Sequence, residues 1–213
     1  MDIKFERIEL GQTIIKSGTP ENVLHELNSV YETKINNLPS SNYRLVGKIR
    51  KEHSIFYDYP KKSHNELSKT TIEWFKFQFR NYLLMTKAKT LNIRLSSIWI
   101  NEMCEHEYNP LHTHNSNKSS IGLTSVMALK LPSSYGEEYS RKNIPHNGKL
   151  HFVGNDSGQF ATRDYSPELK IGDFFVFPYD LRHQVYPMNQ SKEVRRTLSA
   201  NCDVFFERGD ELL

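Results

Sequence analysis

The chain has 213 residues, of which 37% are hydrophobic and 12% aromatic, enough for one folded domain with its own core. Its 28 basic and 25 acidic residues leave a net charge of +3, so we expect no nucleic-acid partner, which would need a clustered basic face. With two cysteines, a charged start and no apolar window near the ~18 residues of a membrane span, we expect no disulfide framework, signal peptide or membrane partner, and a cytoplasmic protein.

The first part of the chain predicts one strand followed by two helices. Residues 3–10 have β character, with apolar side chains on both faces. Thr19 and Pro20 then suit the N-cap and first position of a helix. Helical spacing continues that helix as an apolar stripe of Val23, Leu24, Leu27, Val30 and Tyr31.

The second helix has an aromatic stripe. Ser63 and Glu66 have the spacing of a capping box, which predicts a helix start, and the pattern extends to about Lys89. The stripe is formed by Ile72, Phe75, Phe79 and Tyr82. An aromatic stripe of this kind is more often core than ligand site, so we expect this helix to pack against the back of a sheet.

Short strands replace the helical pattern from Arg94 onward. Turn residues separate the predicted strands 95–101, 122–131, 149–153, 173–177, 183–186 and 195–206. Many short strands of this kind are typical of a jelly roll. The sequence therefore predicts one α+β domain over 1–213, with helical N-terminal support over 1–92 and a jelly-roll core over 93–206.

Three histidines are candidate metal ligands. His112 and His114 are two residues apart, so on an extended strand both point to one face. His183 lies near the end of the chain, and a jelly roll brings such distant strands together. The alternatives are two surface histidines at a strand edge and a hydrogen-bonded histidine at a strand start.

Arg195 is a candidate anion-binding residue. On an extended strand it shares one face with Thr197, Ser199 and Asn201, whereas Arg196 points the other way. A polar face inside a sandwich needs a binding partner, and a dicarboxylate is one that a guanidinium can hold bidentately. The alternative is that this face is exposed to solvent.

In this order and spacing, these residues resemble the iron- and 2-oxoglutarate (2OG)-dependent oxygenases. More narrowly, the chain from about Arg94 to Val204 is similar to a group of such oxygenases common in bacteria and their phages. The resemblance is carried by Trp99-Ile100-Asn101, Tyr108-Asn109, His112-Thr113-His114, Phe177-Pro178, His183 and the run from Arg195 to Asn201.

The resemblance implies a double-stranded β-helix with the N-terminal helices packed on its major sheet. It implies Fe(II) bound by His112, His114 and His183, with O2 at the open iron position. It also implies 2OG held at its distal carboxylate by Arg195 and Thr197, the latter in place of the usual serine. Asn101 and Tyr108 are further residues that would reach the cofactor.

The chain departs from the family pattern at two places. His114 stands where the wider superfamily has Asp or Glu, so three neutral imidazoles leave the iron site one unit more positive. Asp156, Glu105 and Glu107 are candidates for a substitute carboxylate, although none has persuasive spacing. The segment 124–128 replaces a Ser-Gly followed by paired tyrosines, which implies an altered pocket.

The predicted function is therefore an Fe(II)- and 2OG-dependent oxygenase, with His112, His183 and Arg195 as the central catalytic residues. We expect a hydroxylase whose substrate is a protein or peptide side chain such as proline, acting in the host cytoplasm if a phage encodes it. Two alternatives stay open: a three-histidine, cupin-like metal protein that does not use 2OG, and a non-catalytic jelly-roll binding module.

Overall fold

Two antiparallel sheets, one of eight strands and one of four, form the body of the protein in the computed structural model. The structure describes residues 4–9, 11–42, 46–59, 61–86, 92–116, 119, 121–138, 144–154 and 162–205. The larger sheet has the order β1-β2-β10-β7-β12-β5-β3-β4, and the smaller sheet has the order β6-β11-β8-β9.

The helices and strands have the following bounds. The helices are α1 (Glu21–Lys34), followed by a 3-10 turn (Ile35–Asn37), and α2 (Lys69–Met85). The strands are β1 (Phe5–Glu9), β2 (Thr13–Gly18), β3 (Lys51–Tyr59), β4 (Lys62–Asn65), β5 (Asn92–Met103), β6 (Asn109–His112), β7 (Gly122–Lys130), β8 (Leu150–Val153), β9 (Asp164–Tyr165), β10 (Asp173–Pro178), β11 (Arg182–Val185) and β12 (Arg195–Phe205).

Both helices pack on one face of the large sheet, and alternation along β12 shows how the sheet separates two environments. Leu198, Ala200 and Cys202 are buried in the same core as Phe75 and Phe79 of α2. The residues between them face the other way, toward the small sheet, because side chains alternate along a strand. The α+β jelly roll with helices on its major sheet is thus confirmed.

The predicted start of α2 was wrong. Ser68 caps the helix and accepts a hydrogen bond from the Thr71 N–H at 3.2 Å. Ser63 instead lies in β4, paired with Asp58 of β3. Strand pairing has therefore overridden the local capping-box pattern, and the predicted end at Lys89 lies outside the described residues.

The N-terminal part, predicted as helical support over residues 1–92, also contains several strands. It contributes β1 to β4, with β2 paired to β10 and β3 paired to β5. α1 begins at Glu21, with Pro20 as the preceding cap residue. No helix within the described ranges is long and apolar enough to cross a membrane.

Candidate active site

The three histidines come together where the small sheet meets the large one. His112 of β6 is paired directly with His183 of β11, and their ring centroids are 4.2 Å apart. His114 lies just beyond β6, where its backbone N–H donates to the Tyr179 carbonyl at 2.8 Å. One ligand atom from each of the three residues lies within 4.8 Å of the others.

Backbone contacts select the nitrogen that each strand histidine presents. His112 Nδ1 is 2.7 Å from the Pro110 carbonyl, and His183 Nδ1 is 3.0 Å from the Leu181 carbonyl. Because a carbonyl only accepts, each Nδ1 carries the proton, and Nε2 carries the lone pair; the Asn109 amide nitrogen lies 3.4 Å from Nε2 of His112. His183 Nε2 is 3.2 Å from His114 Nε2, so these two rings meet through the same type of nitrogen.

The surroundings keep all three imidazoles neutral. Burial lowers the pKa of His183 to about 3, with a further contribution from His112. Burial also lowers the pKa of His112, against opposing hydrogen bonds from the backbone. For His114, burial and then its two histidine neighbours hold the pKa well below its usual range. Neutral imidazoles are the form that binds metal.

Arg195 is buried with part of its hydrogen-bonding capacity unused. It is 2% exposed, and Nη1 donates to the Thr197 hydroxyl at 3.3 Å. Its Nε and Nη2 have no hydrogen-bond partner among the described residues. Burial lowers its pKa to about 10, which still leaves the guanidinium charged at neutral pH. A buried charge with unpaired N–H groups is costly, so the arrangement suits an anionic ligand.

One cavity of about 560 Å³ joins the histidines to Arg195. The pairing of β12, β5 and β3 arranges its floor in rows across the sheet. One row is Thr197, Asn101 and Glu52; the next is Ser199, Trp99 and Ser54. The first row lies on the Arg195 side, and the second row leads toward Asn201.

Of the residues predicted to bind the cofactor, Asn101 lines this cavity and Tyr108 does not. Asn101 is buried, and its Oδ1 has no partner among the residues described. The Tyr108 side chain is 42% exposed, while its backbone pairs with Lys48.

The acidic residues considered as substitute ligands lie elsewhere or outside the described ranges. The Glu107 carboxylate accepts hydrogen bonds from Arg50 Nε at 2.8 Å and the Cys104 N–H at 2.8 Å. Glu105 accepts from the Gln190 N–H. Asp156 is not among the described residues. Within the described part of the chain, the three histidines are therefore the cluster that could hold a metal ion, and no carboxylate joins them.

The sequence patterns assign no site role to Trp99 or Tyr135. The Trp99 ring lies 5.9 Å from the His114 ring and lines the cavity. For Tyr135, in the connection after β7, burial raises the pKa of the phenol and the charge of Arg195 opposes that rise. The Trp-x-Asn spacing was a usable signal for Trp99, because Trp99 and Asn101 must share a strand face; no sequence signal marked Tyr135.

These residues fit Fe(II) and 2OG. Three convergent imidazoles, two of them with Nδ1 held by backbone carbonyls, suit iron. The two buried, unpartnered N–H groups of Arg195 in the same cavity suit a distal carboxylate. Val126, from the segment that departs from the family pattern, contributes an apolar side chain to the lining.

Solved structures support the same fold. A prolyl-4-hydroxylase from Pseudomonas putida matches with a TM-score of 0.56 at 13% identity, over 95% of this chain and 93% of that one. A 2OG-Fe(II) oxygenase from Burkholderia pseudomallei has a TM-score of 0.52 at 15% identity, with coverages of 88% and 85%. A prolyl hydroxylase from Trichoplax adhaerens, solved with a hypoxia inducible factor peptide fragment, has a TM-score of 0.54 at 13% identity, with coverages of 93% and 83%.

A sequence match identifies the family. No curated protein matches this chain. A family with the description "Putative 2OG-Fe(II) oxygenase" matches residues 97–201, the segment that contains His112, His114, His183 and Arg195. Residues 97–201 therefore belong to the 2OG-Fe(II) oxygenase family, and the chain is an enzyme whose cofactors are Fe(II) and 2-oxoglutarate.

Proposed function

We propose that this enzyme hydroxylates a C–H bond in an uncharged substrate group, such as the ring of a proline in a peptide or protein. The observation that carries the proposal is the cavity that contains both three convergent imidazoles and a buried guanidinium with two unpartnered N–H groups.

In this proposal the histidines form the metal site. His112 and His183 present Nε2, because their Nδ1 protons are used by the Pro110 and Leu181 carbonyls. His114 presents Nε2 from the opposite side, 3.2 Å from that of His183. Three neutral ligands leave the full charge of the metal to be balanced by anions, which favours a dianionic cofactor.

Arg195 anchors the distal carboxylate of 2OG at the other end of the cavity. Its planar guanidinium forks the carboxylate through Nε and Nη2, while Thr197 and Asn101 add polar contacts from the neighbouring row. When bound together with O2, Fe(II) and 2OG supply the oxidising power to hydroxylate an unactivated C–H bond. The role of the chain is to orient the cofactor and to keep water from the reacting groups.

The far end of the cavity supports an uncharged substrate group. Besides Trp99 and the buried Glu52, the described lining includes hydroxyl and amide side chains: Ser54, Ser97, Ser199, Asn201, Asn115 and Ser116. A proline ring can pack against the indole of Trp99, and these hydroxyls and amides can bond the peptide groups beside it. The proline-directed activity named for the Pseudomonas and Trichoplax proteins supports the same substrate class.

Arg195 favours this function over a cupin-like metal protein. A three-histidine site that does not use 2OG has no need of a buried guanidinium with unused donors.

We also propose the cytoplasm as the compartment, where the free thiols of Cys104 and Cys202 would stay reduced.

Turnover tests the proposal directly. Purified enzyme with Fe(II), 2OG and O2 should form succinate, and the His183→Ala variant should form none above a protein-free control. A panel of peptides with a central proline, and matched peptides with Lys or Glu there, should show added oxygen by mass spectrometry on the proline members. Succinate formation that survives in His183→Ala would contradict the metal site, and oxidation confined to charged peptides would contradict the substrate class.

A further inference from the structure

The three imidazoles differ in how their non-ligating nitrogens are held. In His112 and His183, Nδ1 donates to the backbone carbonyl two residues earlier in the chain, that of Pro110 and Leu181 respectively. His114 stands beyond the end of β6 and presents Nε2 toward His183, so its Nδ1 faces away from the cluster. An imidazole ligates only in the tautomer that keeps its proton on the other nitrogen, so His114 also needs an acceptor at Nδ1.

Asn201 lies where that acceptor is needed. Both Asn201 and His114 line the cavity, and Asn201 shares the strand face of Arg195, Thr197 and Ser199. The His114 ring lies 5.9 Å from the Trp99 ring, and Trp99 pairs with Ser199, two residues before Asn201 on β12. Asn201 is 8% exposed, and its Oδ1 is a buried acceptor with no hydrogen-bond partner among the described residues.

The strand holds Asn201 firmly and aims it. β12 is paired on both sides, and Asn201 lies between Ser97 of β5 and Thr124 of β7. The register with β5 shifts between Asn201 and Cys202. Irregularities of this type redirect a side chain while the strand remains paired, and they occur next to active sites.

We propose that Asn201 is the positioning residue for His114, with its Oδ1 accepting the Nδ1 proton so that Nε2 is left for the metal. The inference rests on the proposed metal site. It follows from the departure at position 114: a carboxylate ligand has no tautomer to fix, whereas an imidazole in that place does. The reversed amide, with Nδ2 donating to Nδ1, would put the proton on Nε2 and prevent ligation.

Metal affinity in a small set of variants tests this pairing. Anaerobic isothermal titration of Co(II) into Asn201→Leu should show affinity about 10- to 100-fold below wild type, the usual effect of losing such an outer partner. Asn201→Asp keeps an acceptor and should bind within a few-fold of wild type. Thr124→Val, at the strand position on the other side of Asn201, is the matched control and should bind as wild type does.

A second background separates an effect through His114 from general damage to the fold. In His114→Asp the ligand needs no tautomer, so adding Asn201→Leu should leave Co(II) affinity unchanged. In the Co(II)-loaded wild type, NMR should show three exchangeable, strongly shifted imidazole N–H signals, and Asn201→Leu should lose one of them to solvent exchange.

Several outcomes would overturn the inference. Wild-type affinity in Asn201→Leu would remove Asn201 from the site, and an equal loss in the His114→Asp background would show that it acts through the fold. In both cases the metal site itself would stand, because wild type still binds Co(II). Failure of wild type to bind Co(II) would instead overturn the proposed function together with this inference.

Discussion

At the scale of single residues, Arg195 and Arg196 are neighbours in the chain with opposite surroundings. Arg195 faces the cavity with two unpartnered N–H groups, whereas Arg196 faces the helices and bonds the Glu102 carboxylate. Alternation along an extended strand predicted this division from the sequence alone. It makes the pair a natural comparison for the cofactor site.

We predict that Arg195→Ala weakens 2OG binding by about 3–5 kcal/mol, the scale for breaking a buried ion pair. Arg195→Lys should recover only part of this, since an ammonium cannot form the bidentate fork. Isothermal titration of 2OG into the anaerobic, metal-loaded variants measures both. Folded Arg196→Ala should bind 2OG nearly as wild type does; if Arg196 matters and Arg195 does not, the cofactor assignment is wrong.

His114 gives a second prediction at this scale. His114→Asp should keep Fe(II) binding, because it restores the common set of two histidines and one carboxylate. His114→Ala should lose much of the affinity, because one of three convergent nitrogens is removed. Titration with Fe(II) or Co(II) under argon checks both variants, and full affinity in His114→Ala would exclude His114 from the ligands.

The site was more predictable from the sequence than its immediate surroundings. His112, His183 and Arg195 carry signals of residue type, alternation and spacing. Tyr108 stays a prediction from the family resemblance: it is 42% exposed and is not among the residues that line the cavity. The roles of Trp99 and Asn201 depend on which strands lie side by side, which residue patterns do not specify.

At the scale of elements, the strands were easier to predict than the helix boundaries. β7, β8, β10, β11 and β12 lie within a few residues of their predicted ranges because turn residues delimit them. At the predicted start of α2, Ser63 instead lies in the hairpin of β3 and β4, and the Glu66 carboxylate pairs with Lys34. Long-range pairing of this kind is invisible to a local capping pattern.

The contact between α1 and β12 carries a prediction for stability. Arg196 bonds Glu102 at 2.9 Å and Glu32 at 3.0 Å, and its guanidinium carbon lies 4.3 Å from the Tyr31 ring centroid. Arg196→Ala leaves the buried Glu102 carboxylate without this partner and should lower the free energy of unfolding by about 3–5 kcal/mol. Urea unfolding monitored by circular dichroism measures the change; a loss below about 1 kcal/mol, the range of surface pairs, would contradict it.

The same cluster gives a pH dependence. Burial raises the pKa of Glu102, but hydrogen bonds from Lys51 and Arg196 outweigh it and hold the pKa below its usual value. The folded pKa lies below the unfolded one, so its stabilisation is present above the unfolded pKa and is lost as pH falls through the folded pKa. The stability difference between wild type and Glu102→Gln should therefore shrink in acid below about pH 4.3. A difference that stays constant there would contradict the prediction.

At the scale of the whole molecule, the sandwich brings together groups that are far apart in the chain. His112 and His183 become cross-strand partners in the small sheet, while Arg195 lies in the large sheet across the cavity. The jelly-roll expectation predicted that meeting, because such folds place strands from the start and end of the core side by side. The size and polar lining of the cavity could not be predicted from the sequence and are known only from the structure.

The central claim is that one cavity binds Fe(II) and 2OG together, and an anaerobic titration followed by visible absorption tests it most directly. Fe(II) added to the wild-type protein with 2OG should produce the weak metal-to-ligand band of a chelated keto acid, saturating at about one equivalent of iron. The band should be absent when either component is omitted and in His183→Ala, and Arg195→Ala should need much more 2OG to produce it. Iron binding in wild type without this band at saturating 2OG would contradict the account.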